Sequence, residues 1–297
     1  TPDTRAGGLP FAVTISIRKV LATADLHFRL YPEGDAATVQ LARHVCDSDA
    51  DILLVAGDVA DLGLSNFGEC LSLFEGFGGT KLLVPGNHDL WTKTSDTEKV
   101  YRSVLPQMAE QNNFAFLDHR PVVRGRTGFI GNIGWYDYSF RNPELGLSQK
   151  DYENKRIPGV CTWNDRNFIR WDYTDHQFTD RCVRRLREQY REVEDRCEQV
   201  ICVLHHLPFS QLLYGPADTP LEFCRAYLGS ERFGRLLLRM EKVKWCVCGH
   251  RHGPASHRAN GLLSLVVGSE YKKKRLLEID LADGSNFYRD FSAETAQ

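Results

Sequence analysis

The chain has 297 residues, of which 42% are hydrophobic and 26% are charged. These values are ordinary for soluble globular proteins and exclude disordered, collagenous and membrane-embedded compositions. The 37 Lys and Arg against 39 Asp and Glu give a formal net charge of −2, so the chain as a whole lacks the basic field typical of nucleic-acid-binding proteins. No apolar run approaches the roughly 18 residues of a membrane span, and we expect no membrane partner.

Nine Cys and ten His stand out in this composition. The cysteines are odd in number, form no CxxC pair and in several cases lie within apolar runs such as 200–204 and 245–248. A secreted disulfide framework would be more regular, so we expect reduced, mostly buried cysteines in a cytoplasmic protein. The terminal segments are predicted to be an N-terminal tail or first strand (1–18) and a C-terminal tail (282–297).

In the first third of the chain, three apolar strands end abruptly in polar residues. The strands are predicted at 20–24, 52–56 and 81–84. Apolar residues at helical spacing indicate a helix in each gap between them; they are Val39, Ala42, Val45 and Cys46, then Phe67, Cys70, Leu71 and Phe74. This alternation predicts a mainly parallel sheet, and ligands bind at the carboxyl ends of such strands. The residues there are Asp25 and His27, Asp58 and Asp61, and Asn87, His88 and Asp89.

The pattern changes between 135 and 174, where no regular period is present but Trp135, Trp163 and Trp171 occur. Ordered loops of this length usually carry function, so we predict a lid or specificity insert. The alternative is a surface loop whose aromatic residues cover the core. A strand at 129–133 would bring Asn132, Trp135 and Tyr136 towards the ligand-binding edge, where aromatic rings can stack on a base.

The second half of the chain also contains apolar strands that end in polar residues. A helix is predicted at 175–197, with a capping box formed by Thr174 and Gln177. A strand at 200–204 leads into His205 and His206, and after a helix at 231–240 a strand at 245–248 leads into His250, Arg251 and His252. Two strands, at 262–267 and 276–281, close the predicted fold.

Together the strand-end residues form a plausible metal site. Three carboxylate or amide oxygens and four imidazoles suit two borderline divalent metals with open coordination positions. In an extended chain, residues i and i+2 point the same way. Asp25 and His27, or His250 and His252, are therefore expected to turn into one cavity.

In these five motifs and their order, the sequence resembles the binuclear metallophosphoesterases, also called calcineurin-like phosphoesterases, from about residue 19 to 279. The resemblance implies an α/β fold of two mixed β-sheets packed as a sandwich and flanked by helices, here a domain at 19–281. It implies one metal held by Asp25, His27, Asp58 and His252. It implies a second metal held by Asp58, Asn87, His205 and His250, with Asp58 bridging. His88 would contact the substrate phosphate or leaving group, oriented by Asp89, and Asp61 would support the ligands.

The implied activity is hydrolysis of a phosphate mono- or diester by attack of a metal-bound hydroxide, with a phosphodiesterase favoured. Mn²⁺ is the favoured metal, with Fe, Zn, Co or Ni as alternatives. Phe28 and Asp89 depart from the pattern of the family's protein phosphatases, so we expect a small phosphate-ester substrate. The near-neutral charge speaks against a nuclease, although the basic run 272–275 leaves a local nucleic-acid track open.

Five residues are predicted to lie on the substrate side, namely Asn132, Trp135, Tyr136, Arg251 and His206. A further alternative from a different class is a catalytically silent protein-binding scaffold. All seven ligand positions carry the expected residue types, which favours the enzyme. The sequence leaves the oligomeric state open.

Overall fold

The computed structural model describes residues 16–61, 63–92 and 96–293. Most of the N-terminal segment predicted as a tail or first strand therefore lies outside the described residues. The strands are β1 (Lys19–Thr23), β2 (Ile52–Ala56), β3 (Thr80–Val84), β4 (Phe114–Phe116), β5 (Val122–Arg124), β6 (Thr127–Asn132), β7 (Arg156–Ile157), β8 (Cys161–Thr162), β9 (Gln199–Leu204), β10 (Val243–Cys248), β11 (Ala255–Ala259), β12 (Leu262–Val266), β13 (Lys273–Asp280) and β14 (Asn286–Ser292).

The α-helices are of very different lengths. They are α1 (Pro32–Cys46), α2 (Leu64–Ser72), α3 (Thr97–Lys99), α4 (Leu105–Gln111), α5 (Gln149–Glu153), α6 (Asp165–Phe168), α7 (Asp175–Val193), α8 (Thr219–Cys224) and α9 (Glu231–Leu237). A π-helical segment, Val100–Val104, joins α3 to α4. None of the described helices is long and apolar enough to cross a membrane.

Two mixed six-stranded sheets form the body of the fold. The first has the order β14-β13-β1-β2-β3-β4, in which β1 to β4 are parallel and β13 and β14 are antiparallel to their neighbours. The second has the order β11-β12-β10-β9-β6-β5, with β12, β10, β9 and β6 parallel. Two mixed sheets flanked by helices confirm the predicted fold class. Strands connected through helices pair in parallel, whereas strands joined by tight turns pair antiparallel.

The apolar strands are buried on both faces, and their alternate residues belong to two different cores. In β2, Ile52 and Leu54 point into the core between the sheets, whereas Leu53 and Val55 pack in the larger core under the helices. Because successive side chains of a strand point to opposite faces, a strand covered on both sides is a continuous hydrophobic run. The packing therefore accounts for the unbroken apolar runs seen in the sequence.

Several boundaries differ from those predicted. The segment 282–297, expected to be a tail, contains β14, which pairs with β13 along seven residues. Helix α7 has the predicted capping box but ends at Val193, followed by a 3₁₀ turn at Glu194–Arg196. On α1, Val39 is 37% exposed, because the buried face is centred on Leu41 and Ala42 instead. The segment 135–174 contains α5, α6 and the β7–β8 hairpin.

All nine cysteines lie within the described residues and none is paired in a disulfide. Six are buried and three are partly buried. The six buried cysteines pack as small apolar side chains of the larger core.

Candidate metal centre

The predicted ligands follow the carboxyl ends of strands in both sheets. Asp25 and His27 follow β1, Asp58 follows β2 and Asn87 follows β3, all from the first sheet; His205 follows β9, and His250 and His252 follow β10, from the second. The sandwich brings these ends together, and their side chains meet in two overlapping clusters. Residues separated by more than 200 positions thus become neighbours.

Left-handed backbone, rather than extended chain, directs most of these side chains. The φ angles are 56° at Asp25, 41° at His27, 50° at Asp58, 72° at His250 and 30° at His252. These five make up half of the ten non-glycine residues with positive φ in the described part of the chain. The simple i and i+2 alternation expected from the sequence is therefore wrong here. Non-glycine residues adopt this conformation at a cost, and such strain is concentrated at functional sites.

A glycine makes room for the central carboxylate. A Cβ atom on Gly86 would lie 2.1 Å from Asp58 Oδ1 and 2.4 Å from the Asp58 backbone nitrogen. Both distances are far below van der Waals contact, and the second clash involves backbone that cannot rotate away. The loop after β3 can therefore approach Asp58 only with glycine at position 86.

The first cluster contains Asp25, His27, Asp58 and His252, each offering one ligand atom within 4.8 Å of the others. The Nε2 atoms of His27 and His252 are 3.0 Å apart, and His27 Nε2 is 3.7 Å from Asp58 Oδ2. Two imidazoles and two carboxylates are a donor set that borderline divalent metals accept.

The second cluster contains Asp58, His205 and His250, again within 4.8 Å. Asn87 adds its amide oxygen, which is 3.2 Å from His205 Nε2. His205 Nε2 is also 3.4 Å from Asp58 Oδ1. Asp58 thus belongs to both clusters and presents a different oxygen to a histidine of each, an arrangement compatible with a bridging carboxylate.

The other ring nitrogen of three of these histidines is held by a hydrogen bond. His27 Nδ1 donates to Asp61 Oδ2 (2.7 Å), His205 Nδ1 to the Ala56 carbonyl (2.9 Å) and His250 Nε2 to the Tyr227 carbonyl (3.3 Å). Metal-binding histidines commonly make such a bond, because it fixes the tautomer and the ring orientation. In each case one nitrogen remains directed to the cluster.

The residues fit a pair of divalent cations. Asp25 Oδ2 and Asp58 Oδ2 are buried and have no hydrogen-bond partner among the described residues. Burial raises the pKa of Asp25 to about 7; His205 opposes this shift and the neighbouring Asp58 carboxylate reinforces it. Buried carboxylate oxygens without a partner are costly, and a metal ion supplies the missing positive charge.

A family model described as calcineurin-like phosphoesterase matches residues 18–254. The chain belongs to the calcineurin-like phosphoesterase family. It is therefore a metal-dependent phosphoesterase, and the family's binuclear centre matches the two ligand clusters. The alternative of a catalytically silent scaffold is set aside. No curated protein matches the chain.

Solved structures share the fold at low sequence identity. A phosphopantetheinyl hydrolase from Mycobacterium tuberculosis is 23% identical with a TM-score of 0.67, covering 86% of this chain and 90% of its own. A dimetal phosphatase from Danio rerio is 12% identical with a TM-score of 0.56, covering 93% and 99%. A putative 5′-nucleotidase from Staphylococcus aureus is 11% identical with a TM-score of 0.51, covering 93% of this chain and 53% of its own.

In this phosphoesterase, His88 is oriented by Asp61 and not by Asp89. His88 Nδ1 donates to Asp61 Oδ1 at 2.6 Å, while the other oxygen of Asp61 holds His27. The His88 ring stacks on Trp91 with 3.6 Å between ring centroids. Burial opposes protonation of His88, but the Asp58 and Asp61 carboxylates outweigh it and raise its pKa to about 9. Asp61 therefore joins the candidate ligand His27 to the predicted catalytic histidine.

Asp89 ties together two loops instead. Its Oδ1 accepts the backbone N–H groups of Val59 (2.9 Å) and Ala60 (3.1 Å), and its Oδ2 accepts that of Gly86 (2.8 Å). These hydrogen bonds hold the backbone on either side of Asp58 and Asn87. The expectation that Asp89 orients His88 is corrected, because the Asp89 carboxylate accepts backbone N–H groups whereas the His88 ring bonds to Asp61.

Three of the residues predicted on the substrate side are in the core. Trp135, Tyr136 and Asn132 have no exposed surface. Asn132 Nδ2 donates to the Cys182 carbonyl, and the Trp135 and Tyr136 rings stack on each other with 4.6 Å between centroids. They present no face to a substrate, so the base-stacking expectation is wrong for this pair; here the alternative reading, aromatic residues that cover the core, holds.

Arg251 and His206 are placed differently. Arg251 donates to the carbonyls of Gly253 (2.9 Å) and Pro254 (2.6 Å), and its guanidinium lies 4.3 Å from the centroid of the Tyr214 ring. His206 is buried with its ring centroid 4.3 Å from that of His250, and its Nδ1 donates to the Ile133 carbonyl. It packs against the candidate ligand His250 and is not among the residues that line the cleft described below.

A cleft of about 350 Å³ opens over the two clusters. Asp58, His88, His250 and His252 form its floor, and the walls are largely aromatic and aliphatic. The wall residues include Trp91, Trp163, Tyr214, Leu221, Leu228 and Tyr271. Sequence reasoning named only Trp163 among them, because the others come from separate loops that share no motif.

Proposed function

We propose that this enzyme is a phosphodiesterase acting on a small diester with at least one apolar or aromatic substituent. Family membership makes it a phosphoesterase, and the preference for diesters is inferred from the cleft. The seven residues of the two clusters would hold the metals. His88 would act on the leaving group or the phosphate.

The observation that carries this proposal is the charge of the cleft. Among the described residues that line it, there is no Lys or Arg. A monoester near neutral pH carries up to two negative charges on phosphate, whereas a diester carries one and has two organic substituents. Beyond the metals and His88, the wall offers no Lys or Arg among the described residues to pair a second phosphate charge, which favours the less charged ester, since desolvating unpaired charge is costly. The aromatic rings supply surface for an organic substituent.

The protein groups have separable tasks in this proposal. Two divalent cations supply Lewis acidity towards phosphate oxygens and make water nucleophilic near neutral pH. Asp61 fixes the Nδ1 side of His88, which leaves the Nε2 edge for hydrogen bonding to the ester. A protonated His88 would stabilise negative charge that develops on the phosphoryl or leaving oxygen.

The basic run considered for nucleic acid does not support a nuclease. Lys272 Nζ binds Glu33 at 3.1 Å, and Arg275 binds Asp290 with two hydrogen bonds of 2.6 and 3.1 Å. Lys274 is fully buried and donates to the carbonyls of Asp25 and Glu270. Of the four residues, Lys273 is left to contact a phosphate backbone, whereas duplex binding needs several such contacts.

A substrate panel tests the proposal. Bis-(p-nitrophenyl) phosphate, p-nitrophenyl phosphate, cyclic nucleotides, and single- and double-stranded DNA are assayed with Mn²⁺ at equal concentration. A phosphopantetheinyl ester joins the panel because a protein of the same fold is described as a phosphopantetheinyl hydrolase. We expect the highest kcat/KM on small diesters. A higher value on the aryl monoester, or on DNA, contradicts the proposal.

A charge introduced at the wall sharpens the test. Leu221 lines the cleft and is 38% exposed, so Leu221→Lys adds a cation without burying it fully. A charge pair about 4 Å apart is worth about 1 kcal/mol in water, so kcat/KM for monoester relative to diester is expected to rise about fivefold. The control is Val39→Lys, because Val39 is 37% exposed on α1 and does not line the cleft. An unchanged ratio in Leu221→Lys would argue against charge as the source of selectivity.

A further inference from the structure

One carboxylate of the insert at 135–174 connects directly to the metal centre. Asp165 is 1% exposed and lies at the start of α6. It accepts four side-chain hydrogen bonds and has no cationic partner among them. The donors are Asn87 Nδ2 (2.9 Å), Trp91 Nε1 (2.7 Å), Tyr136 O–H (2.8 Å) and Trp163 Nε1 (2.7 Å).

The bond to Asn87 decides which way that amide faces. A carboxylate only accepts hydrogen bonds, so the NH₂ group of Asn87 must be the one that faces Asp165. The amide oxygen then points to the opposite side, where it lies 3.2 Å from His205 Nε2 in the second cluster. Since the oxygen is the metal-binding atom of an amide, this orientation is the one that a cation needs.

The same carboxylate holds two walls of the cleft. Its Oδ1 accepts from Asn87 and Trp91, and its Oδ2 accepts from Tyr136 and Trp163. Trp91 stacks on His88, and the Trp163 ring centroid is 5.7 Å from that of His250. A single buried group therefore fixes one ligand and two aromatic rings that flank the floor of the site.

We propose that Asp165 is a positioning residue of the second metal site, which orients the Asn87 oxygen towards the cation and couples the insert to the metal centre. This rests on Asn87 being a ligand, as the proposed function assumes. The insert then contributes to metal affinity as well as to the shape of the cleft.

Asp175 provides a matched control. It is 7% exposed, it also accepts from a Trp indole and a Tyr hydroxyl, and it too fastens the insert to the core. Its partners are Trp135 Nε1 (2.9 Å), Tyr138 O–H and Lys155 Nζ. None of these is a predicted ligand. If Asp165 served only to fasten the insert, substitutions at both carboxylates would have the same effect on metal binding.

The experiment is a calorimetric Mn²⁺ titration of the metal-stripped full-length chain as wild type, Asp165→Asn and Asp175→Asn. In Asp165→Asn an NH₂ group replaces one carboxylate oxygen, so two of the four hydrogen-bond donors around this side chain face another donor. We expect one of the two Mn²⁺ affinities to fall about 10- to 100-fold, which is usual for loss of a residue that orients a ligand. Asp175→Asn is expected to leave both affinities unchanged. Unaltered binding in Asp165→Asn, or an equal loss in both variants, overturns the proposal.

A reversed pair tests the same contact with the amide and the carboxylate exchanged. Asn87→Asp alone places two carboxylates face to face, and the double variant Asn87→Asp/Asp165→Asn restores one carboxylate against one amide. We expect the double variant to bind the second Mn²⁺ more tightly than Asn87→Asp alone, by about tenfold. Equal or weaker binding in the double variant overturns the proposal, because coupled residues must show non-additive effects.

The outcome is separable from that of the substrate panel. If the Mn²⁺ affinities of the variants are as expected but the wild type prefers monoesters, the positioning role of Asp165 stands and only the proposed diesterase activity is contradicted. A preference for diesters with unaltered Mn²⁺ binding in Asp165→Asn contradicts only the positioning role. A wild-type chain that binds fewer than two Mn²⁺ contradicts the metal assignment on which both depend.

Discussion

The two ligand clusters are supported in different ways. In the first, the ring of His27 is held by Asp61, which comes from the same strand-end motif as the shared ligand Asp58. In the second, support comes from distant places: the Ala56 carbonyl holds His205, the Tyr227 carbonyl holds His250, and Asp165 holds Asn87. The support of His27 thus comes from the motif that also contains Asp58, whereas the second half draws on three separate segments, one of which is the insert. Substitutions should separate the two halves.

The largest effect is expected at the residue that both halves share. Asp58→Asn replaces the carboxylate common to both clusters by a weaker neutral ligand. Both metal affinities should fall by more than the roughly 100-fold that losing a supporting residue costs, and activity should fall with them. Metal content after dialysis, measured by mass spectrometry, checks this. Asp118→Asn, at a buried carboxylate that is not among the predicted ligands, is the control. Two ions retained in Asp58→Asn would rule out bridging.

The next largest effect is expected at a residue that touches substrate without holding a metal. His88→Ala should lower kcat by about 10²- to 10⁴-fold, the usual contribution of a positioned acid or base, with both metals retained. The loss should be greatest on esters with poor leaving groups. The comparison variant is His44→Ala, because His44 lies at the end of α1, outside the clusters. Full activity of His88→Ala on a poor leaving group would refute the role.

A smaller effect, confined to one half, is expected at Asp61. Asp61→Asn weakens the support of His27, so the affinity of the first metal should fall about 10- to 100-fold while that of the second is unchanged. A calorimetric titration that resolves both sites measures it. Asp165→Asn is expected to have the converse effect and to lower only the affinity of the second metal. A simultaneous loss of affinity at both sites in Asp61→Asn would show that the two halves are not separately supported.

The smallest effect on chemistry is expected at Asp89. Asp89→Asn leaves at least one of three backbone N–H groups facing an amide NH₂, so the free energy of unfolding should fall by about 1 to 3 kcal/mol. Urea unfolding of the metal-loaded enzyme gives the value. Activity per folded molecule should fall much less than in His88→Ala. Unchanged stability with a loss of kcat as large as that of His88→Ala would restore the catalytic role first predicted for Asp89.

Much of the fold was predictable because its signals are local. Runs such as 52–56 are apolar on both faces, and they are followed within a few residues by polar groups. Such runs form buried parallel strands in any α/β arrangement, so the two-sheet fold and the edge that carries the site follow from them. The prediction of a tail at 282–297 is wrong because β14 alternates buried and exposed residues only weakly and so has no clear period in the sequence.

The sequence by itself determined which residues gather at the strand ends, because residue type and distance from a strand end are local properties. It did not determine where each side chain points. Left-handed backbone directs Asp25, His27 and Asp58, and Asp61 rather than the adjacent Asp89 reaches His88. The buried place of Trp135 and the contact of Asp165 with Asn87 depend on the packing of an aperiodic insert against loops far away in the chain. Those contacts are made only in the tertiary structure, since no local propensity encodes a hydrogen bond between residues 78 positions apart.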